Sequence, residues 1–139
     1  MAANTNPIFA LTPVLKWGAT PLLTAANAAM DGTGTVVTVF TADATNAGRC
    51  DEIRFKSAGT NVATVARIFI NNGAANATAA NNILWDEVSL PATTASATAA
   101  IPTFVIAGPK GLPPGYNVNV TIGTAVAAGW YPSASGGQF

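Results

Sequence analysis

Asp51-Glu52-Ile53-Arg54-Phe55-Lys56-Ser57 alternates residue by residue, with Ile53 and Phe55 on one side and Glu52, Arg54 and Lys56 on the other. Period two with one apolar side is the pattern of a strand that has one buried and one wet face. The pattern recurs in Tyr116-Asn117-Val118-Asn119-Val120-Thr121-Ile122, where Tyr116, Val118, Val120 and Ile122 share a face. Thr35 to Thr41 is β-branched and aromatic behind an Asp-Gly-Thr-Gly turn, and Val62 to Asn71 is apolar on both faces except at Arg67, as expected of a central strand. Ile83 to Leu90, Thr98 to Ala107 (weakened by Pro102) and Val126 to Ser133 complete the strand segments.

A helix has almost nowhere to form. Thr24 to Met30 is rich in Ala, but it has no continuing apolar stripe and Gly32 ends it, so one turn is the most it supports. Short strands separated by turn signals imply an all-β chain, an antiparallel β-sandwich of jelly-roll type. Within 139 residues, one domain's worth, the expected division is an extended arm over 1–17, a single sandwich over 18–133 and a short tail over 134–139. The arm is read from Pro7, Pro13 and scattered large apolar residues, the tail from its small residues and final Phe139.

Composition narrows the function by subtraction. Histidine is absent, which removes Ser-His-Asp and Cys-His catalysis and every zinc site that needs imidazole. Cys50 is alone, so it forms no disulfide within the chain, and its place at the head of an alternating run predicts a buried, inert thiol. Six acidic residues remain. Asp51-Glu52 and Asp86-Glu87 are adjacent pairs, which strand geometry sends to opposite faces, so cross-strand pairing with Arg54, Lys56 or Arg67 is their expected role. Asp31-Gly32-Thr33-Gly34 lacks the oxygen ligands of a calcium loop and the Lys of a phosphate loop, and reads as a β-turn. The expectation is a non-enzyme with no metal and no cofactor.

Charged residues make up only 9% of the chain, against roughly 25% in typical soluble domains. The six basic residues balance the six acidic ones, so neither nucleic acid nor an anionic membrane is an expected partner. Such a surface is weakly protected against association, and much of it is expected to be covered by another protein. The N-terminal stretch has no basic region leading into a long apolar core, and no segment has the length of a membrane span, so the chain is expected to fold in a cytosol. Trp17, Trp85, Trp130 and Tyr131 suit either packing or a sugar platform.

Leu112-Pro113-Pro114-Gly115-Tyr116, followed by Val118-Asn119-Val120-Thr121-Ile122-Gly123-Thr124-Ala125-Val126-Ala127-Ala128-Gly129-Trp130, resembles the ending "LPAGY…L.VTIGTAVAAGW…GGDY" of small phage and prophage virion proteins. Asn6-Pro7-Ile8-Phe9, the segment Asp31 to Ala42 and Arg67-Ile68-Phe69-Ile70-Asn71-Asn72-Gly73 fit the same pattern, which then spans nearly the whole chain. The chain departs from it in ending Gly136-Gly137-Gln138-Phe139, keeping the aromatic and losing the acidic residue. The resemblance implies a capsid decoration (cement) protein on the virion surface, made in the bacterial cytoplasm and bound to the major capsid protein. A homo-oligomer is implied, a trimer before a dimer. A tail or head-fibre component in low copy number, or a carbohydrate-binding jelly roll, are the alternatives. On the decoration reading the contact residues are Ile8, Phe9, Leu11, Val14, Leu15 and Trp17 in the arm, with Trp130, Tyr131 and Phe139 toward the other end.

Overall fold

The alternating segments pair into two sheets. A computed structural model describes residues 11–17 and 22–139. Their strands are β1 (Thr12–Trp17), β2 (Val37–Thr41), β3 (Gly48–Ser57), β4 (Thr64–Asn71), β5 (Asn82–Leu90), β6 (Thr103–Ala107), β7 (Asn117–Ile122) and β8 (Trp130–Gln138). One four-stranded sheet has the order β1-β8-β3-β6 and the other β2-β7-β4-β5, with every neighbouring pair antiparallel. The two sheets pack face to face as an all-β sandwich. The first strand pairs with the last, the second with the seventh, the third with the sixth and the fourth with the fifth.

The core follows from the alternation. Ile53 and Phe55 of β3, Val118, Val120 and Ile122 of β7, Ala66 and Ile68 of β4, Phe40 of β2 and Ala134 of β8 all turn inward and are fully buried. Trp130 joins them, its ring edge-on to Phe104 of β6 at 5.8 Å between centroids. At about 25 cal/mol per Å² of apolar surface, this interior is the main force holding the two sheets together.

Two sequence expectations are corrected here. The tail over 134–139 is not a tail, because Ala134 to Gln138 forms the second half of β8, between β1 and β3. Small residues read as a linker, yet a central strand can require them. At the bulge between Cys50 and Glu52, a Cβ on Gly136 would lie 1.9 Å from the Arg49 carbonyl oxygen, so only glycine lets the two backbones approach. The arm over 1–17 is also revised. Thr12–Trp17 is a paired edge strand, while residues 1–10 lie outside the described part. Thr24 to Met30 forms no helix. Leu23 instead exchanges backbone hydrogen bonds with Trp130, and Asn27 donates its N–H to the Ile122 carbonyl. The helix that does form among the described residues is a single 3-10 turn, Ala79–Asn81.

Side-chain amides fasten the loops to this frame. Asn61, buried after β3, donates through Nδ2 to Ser57 Oγ (3.0 Å) and to the Gly129 carbonyl (2.9 Å). Its Oδ1 accepts the N–H groups of Ala128 and Gly129, both at 2.9 Å. Its backbone exchanges both bonds with Thr93, whose hydroxyl meets Ser57 Oγ at 2.9 Å. Three connections, β3–β4, β5–β6 and β7–β8, therefore meet at one satisfied polar knot.

Replacing Asn61 with Ala leaves the Ala128 and Gly129 N–H groups without their acceptor and should cost about 4 kcal/mol in urea unfolding. Asn61→Asp keeps that acceptor but sets a buried carboxylate oxygen against the Gly129 carbonyl, and should cost at least as much. Gly136→Ala should lose about 3 kcal/mol or more, because the obstructing atoms are backbone and cannot rotate away.

Candidate functional site

Three of the four adjacent acids meet basic partners, while Asp86 accepts the Glu87 N–H. Asp51 bonds Arg49 at 2.9 Å and Lys110 at 3.3 Å, and Glu52 stands 4.0 Å from Arg54. Arg67, which interrupts an apolar strand, pairs with Glu87 directly across β4 and β5 at 2.9 Å and donates to the Asn27 carbonyl. The first acidic pair is on β3 and the second on β5, strands of different sheets. Glu52 and Glu87 point to opposite outer faces of the sandwich, so no acid/base couple forms between them. Among the described residues, no three metal-ligating side chains gather.

Asp31 to Gly34 is a bend held by a side chain: Asp31 Oδ1 accepts the Thr33 hydroxyl (2.7 Å) and the Thr33 N–H (3.1 Å), which holds its carboxyl below the usual range. Asp43 is lowered in the same way by the N–H groups of Asn46 and Thr45. Cys50 is wholly buried, and desolvation, assisted by the Asp51 charge, pushes its thiol up to about 12. A thiol that stays protonated is a poor nucleophile.

The surface that stands out is the outer face of the β1-β8-β3-β6 sheet along its β1 edge. Alternation in β1 sends Val14 inward against the core, and Leu11, Leu15 and Trp17 outward with 81%, 69% and 63% of their surface exposed. Leu15 lies across from Ser135 of β8 and, beyond it, Glu52 of β3; Trp17 lies across from Ser133 and then Arg54. Tyr131, 45% exposed, stands one outward position along β8 from Ser133 and is therefore diagonal to Trp17. The face thus grades from an apolar margin through small hydroxyl side chains to a charged strip on β3.

The polar edge of β1 is blunted. Gly48 exchanges backbone bonds with Leu112 and Cys50 donates to Pro109, so both turn toward the β6 side and Arg49 turns to Gly137 of β8. Alternation then aims Gly136 at Val14, and leaves Pro13, Leu15 and Trp17 facing, with their backbone groups, the outer margin that no described strand pairs. Pro13 has no N–H to offer there, which discourages the addition of a further strand. What this margin presents is side chains.

Of the contact residues expected from sequence, Leu11, Leu15, Trp17 and Tyr131 come together on this face. Val14 belongs to the interior side of the same strand. Trp130 has no exposed surface and is a core residue, so it is removed from the contact set. Phe139 is half-buried just beyond β8, its N–H reaching the Ala47 carbonyl at 3.4 Å. Ile8 and Phe9 lie outside the described residues. The four aromatics do not form one platform: Trp130 is internal and Trp85 is on the other sheet, at the β5 bulge. Sequence reasoning missed Val105, half-exposed in the same row as Trp17, Ser133 and Arg54. The alternation of Val105 against Phe104 and Ile106 carried that signal.

Comparisons of the chain with protein-family models, with curated proteins and with solved structures found no match. Among the described residues, no helix is long and apolar enough to cross a membrane.

The Cys50 thiol has an ordinary value of 9.0 when the chain is unfolded, so from pH 9 to about 12 the unfolded state releases a proton that the folded state keeps. Stability from this group is complete below pH 9 and falls as pH rises. By about pH 10 the wild type should have lost about 1.4 kcal/mol more than Cys50→Ala, compared by urea unfolding at that pH and at about pH 8.

Proposed function

We propose that this chain is a bacteriophage virion protein of the decoration class, one that docks on the major capsid protein through the outer margin of β1. The observation that carries the reading is the row Leu11, Leu15 and Trp17 with Tyr131 beside it, large apolar side chains left exposed on a strand that sends only Val14 against the core. Large side chains on a fixed strand give up little conformational entropy when a partner covers them, which suits a protein whose task is to be held. The likeness to small virion proteins and the low surface charge support the same reading. The nested pairing of first strand with last and fourth with fifth favours a jelly roll, a stiff scaffold for a particle surface. A homo-oligomer, a trimer first, belongs to the proposal.

A second reading has one observation in its favour. Trp17 and Tyr131 share a face with Ser133, Ser135, Glu52 and Arg54, an aromatic and polar mixture that a sugar ring could use. Quenching of tryptophan fluorescence by a glycan, lost in Trp17→Ala, would move this reading to the front.

The test is quantitative mass spectrometry of purified particles, giving the ratio of this chain to the major capsid protein. A simple fraction of one copy per capsid subunit is expected, and a few copies per particle would point to a tail or fibre instead. The double variant Leu15→Lys, Trp17→Lys should fold normally and bind shells at least about a hundredfold more weakly, since each lost apolar contact is worth about 1.5–3 kcal/mol. Binding by the wild type should persist in high salt. Unchanged binding by the double variant would overturn the assignment of β1 as the docking margin.

A further inference from the structure

The turn after β4 reads Asn71-Asn72-Gly73, and an Asn followed by Gly is the sequence in which an asparagine side chain most readily loses its amide. In that reaction the backbone nitrogen of the glycine attacks the asparagine Cγ. A new C–N bond forms, the bond to the side-chain nitrogen breaks, and that nitrogen leaves as ammonia with the proton from the glycine amide. The resulting succinimide adds water and opens to aspartate or isoaspartate. Water is the only co-reactant.

Asn72 is exposed, so water reaches it freely, yet every atom the reaction must move is held. The Gly73 N–H, whose nitrogen is the nucleophile, donates to Asn71 Oδ1 at 2.8 Å, which favours the protonated, unreactive amide. The Asn72 side chain is occupied at both ends: Oδ1 accepts the Ala74 N–H at 3.1 Å and Nδ2 donates to Asn81 Oδ1 at 3.2 Å. Its backbone N–H is also fixed, on the Asn81 carbonyl at 3.0 Å. Gly73 adopts φ +89° and lies so close to Gly115 that a Cβ would come within 2.7 Å of that carbonyl oxygen, so this turn takes glycine there.

Asn71 anchors the arrangement. It is almost completely buried, and its Nδ2 donates to Asn82 Oδ1 at 2.8 Å, so its own Oδ1 is aimed at Gly73 by a neighbour. We infer that Asn72 is a latent deamidation site, held shut in the folded chain by the Asn71 carboxamide and opened when this turn loosens. Conversion places a negative charge, and in the isoaspartate product an extra backbone carbon, in a turn otherwise built from neutral amides.

The test follows the site by peptide mass spectrometry during incubation of the full chain in mildly alkaline buffer, scoring acid and isoaspartate at residue 72. The native wild type should react at least about tenfold more slowly than the same chain in urea, the factor that one hydrogen bond of ordinary strength supplies. Asn71→Ala removes the acceptor and should speed the native reaction about tenfold. Asn71→Asp also loses the donor to Asn82 but keeps an acceptor for the Gly73 N–H, so it should stay close to the wild-type rate. Equal rates in the folded and urea-unfolded wild type would overturn the inference, and so would equal acceleration in the two variants. If Asn71→Ala does not fold, the comparison of folded with unfolded wild type still decides.

Discussion

The hydrogen bonds of Asn61 are the constraint on which one whole end of the sandwich depends. Two sheets can be pressed together by Ile53, Phe55, Phe40 and Val118 alone, but apolar contact is indifferent to how the loops return. A buried carboxamide is not indifferent: it must satisfy two donor hydrogens and an acceptor oxygen, and here it does so on Ser57, Ala128 and Gly129 while its backbone binds Thr93. The same device recurs on the outer face of the second sheet. Asn27 reaches the carbonyls of Thr33 and Thr35, Asn76 that of Gly34, and Asn82 that of Asn76. These amides draw the loop after Ala26 over Phe69, which points away from the main core and is nevertheless fully buried. A chain with few charges thus specifies its loops with neutral amides, which need no counter-ion when buried.

Much of this was legible in the sequence and some was not, for physical reasons. β3 announces itself because one face is buried and the other wet, and β7 because the residues of its second face, Asn119 and Thr121, are polar although buried. The ion pair of Arg67 with an acid was legible too, since a guanidinium inside an apolar strand needs a partner. β8 was not. Ser133 to Gly137 carries no apolar alternation, because what the sheet uses there is a backbone slim enough to pass the Arg49 carbonyl. Trp130 misled for a related reason: its size fits an anchor for a partner as well as a core, and only the position of Phe104 and the β8 register decides between them. Which strand neighbours which is a long-range matter that local patterns do not contain.

The outer margin of β1 unites two features usually found apart. Edge strands attract other strands through their unpaired backbone groups, and Pro13 reduces that attraction. Leu11, Leu15 and Trp17 on the same strand do the opposite with their side chains. A surface with these two properties discriminates, since it offers adhesion to a shaped apolar partner while resisting the generic pairing that leads to aggregation.

The partnership of β1 with β8 also has a consequence in time. β1 is made before every other described strand, and the strand it needs begins only at Trp130. Until β8 is made, β3 has an unfilled side and β1 belongs to no sheet, so the growing chain cannot complete this half of its fold piece by piece. Pairing so distant along the sequence is slow to form. The apolar margin therefore takes its fixed shape late, after the other described strands have been made.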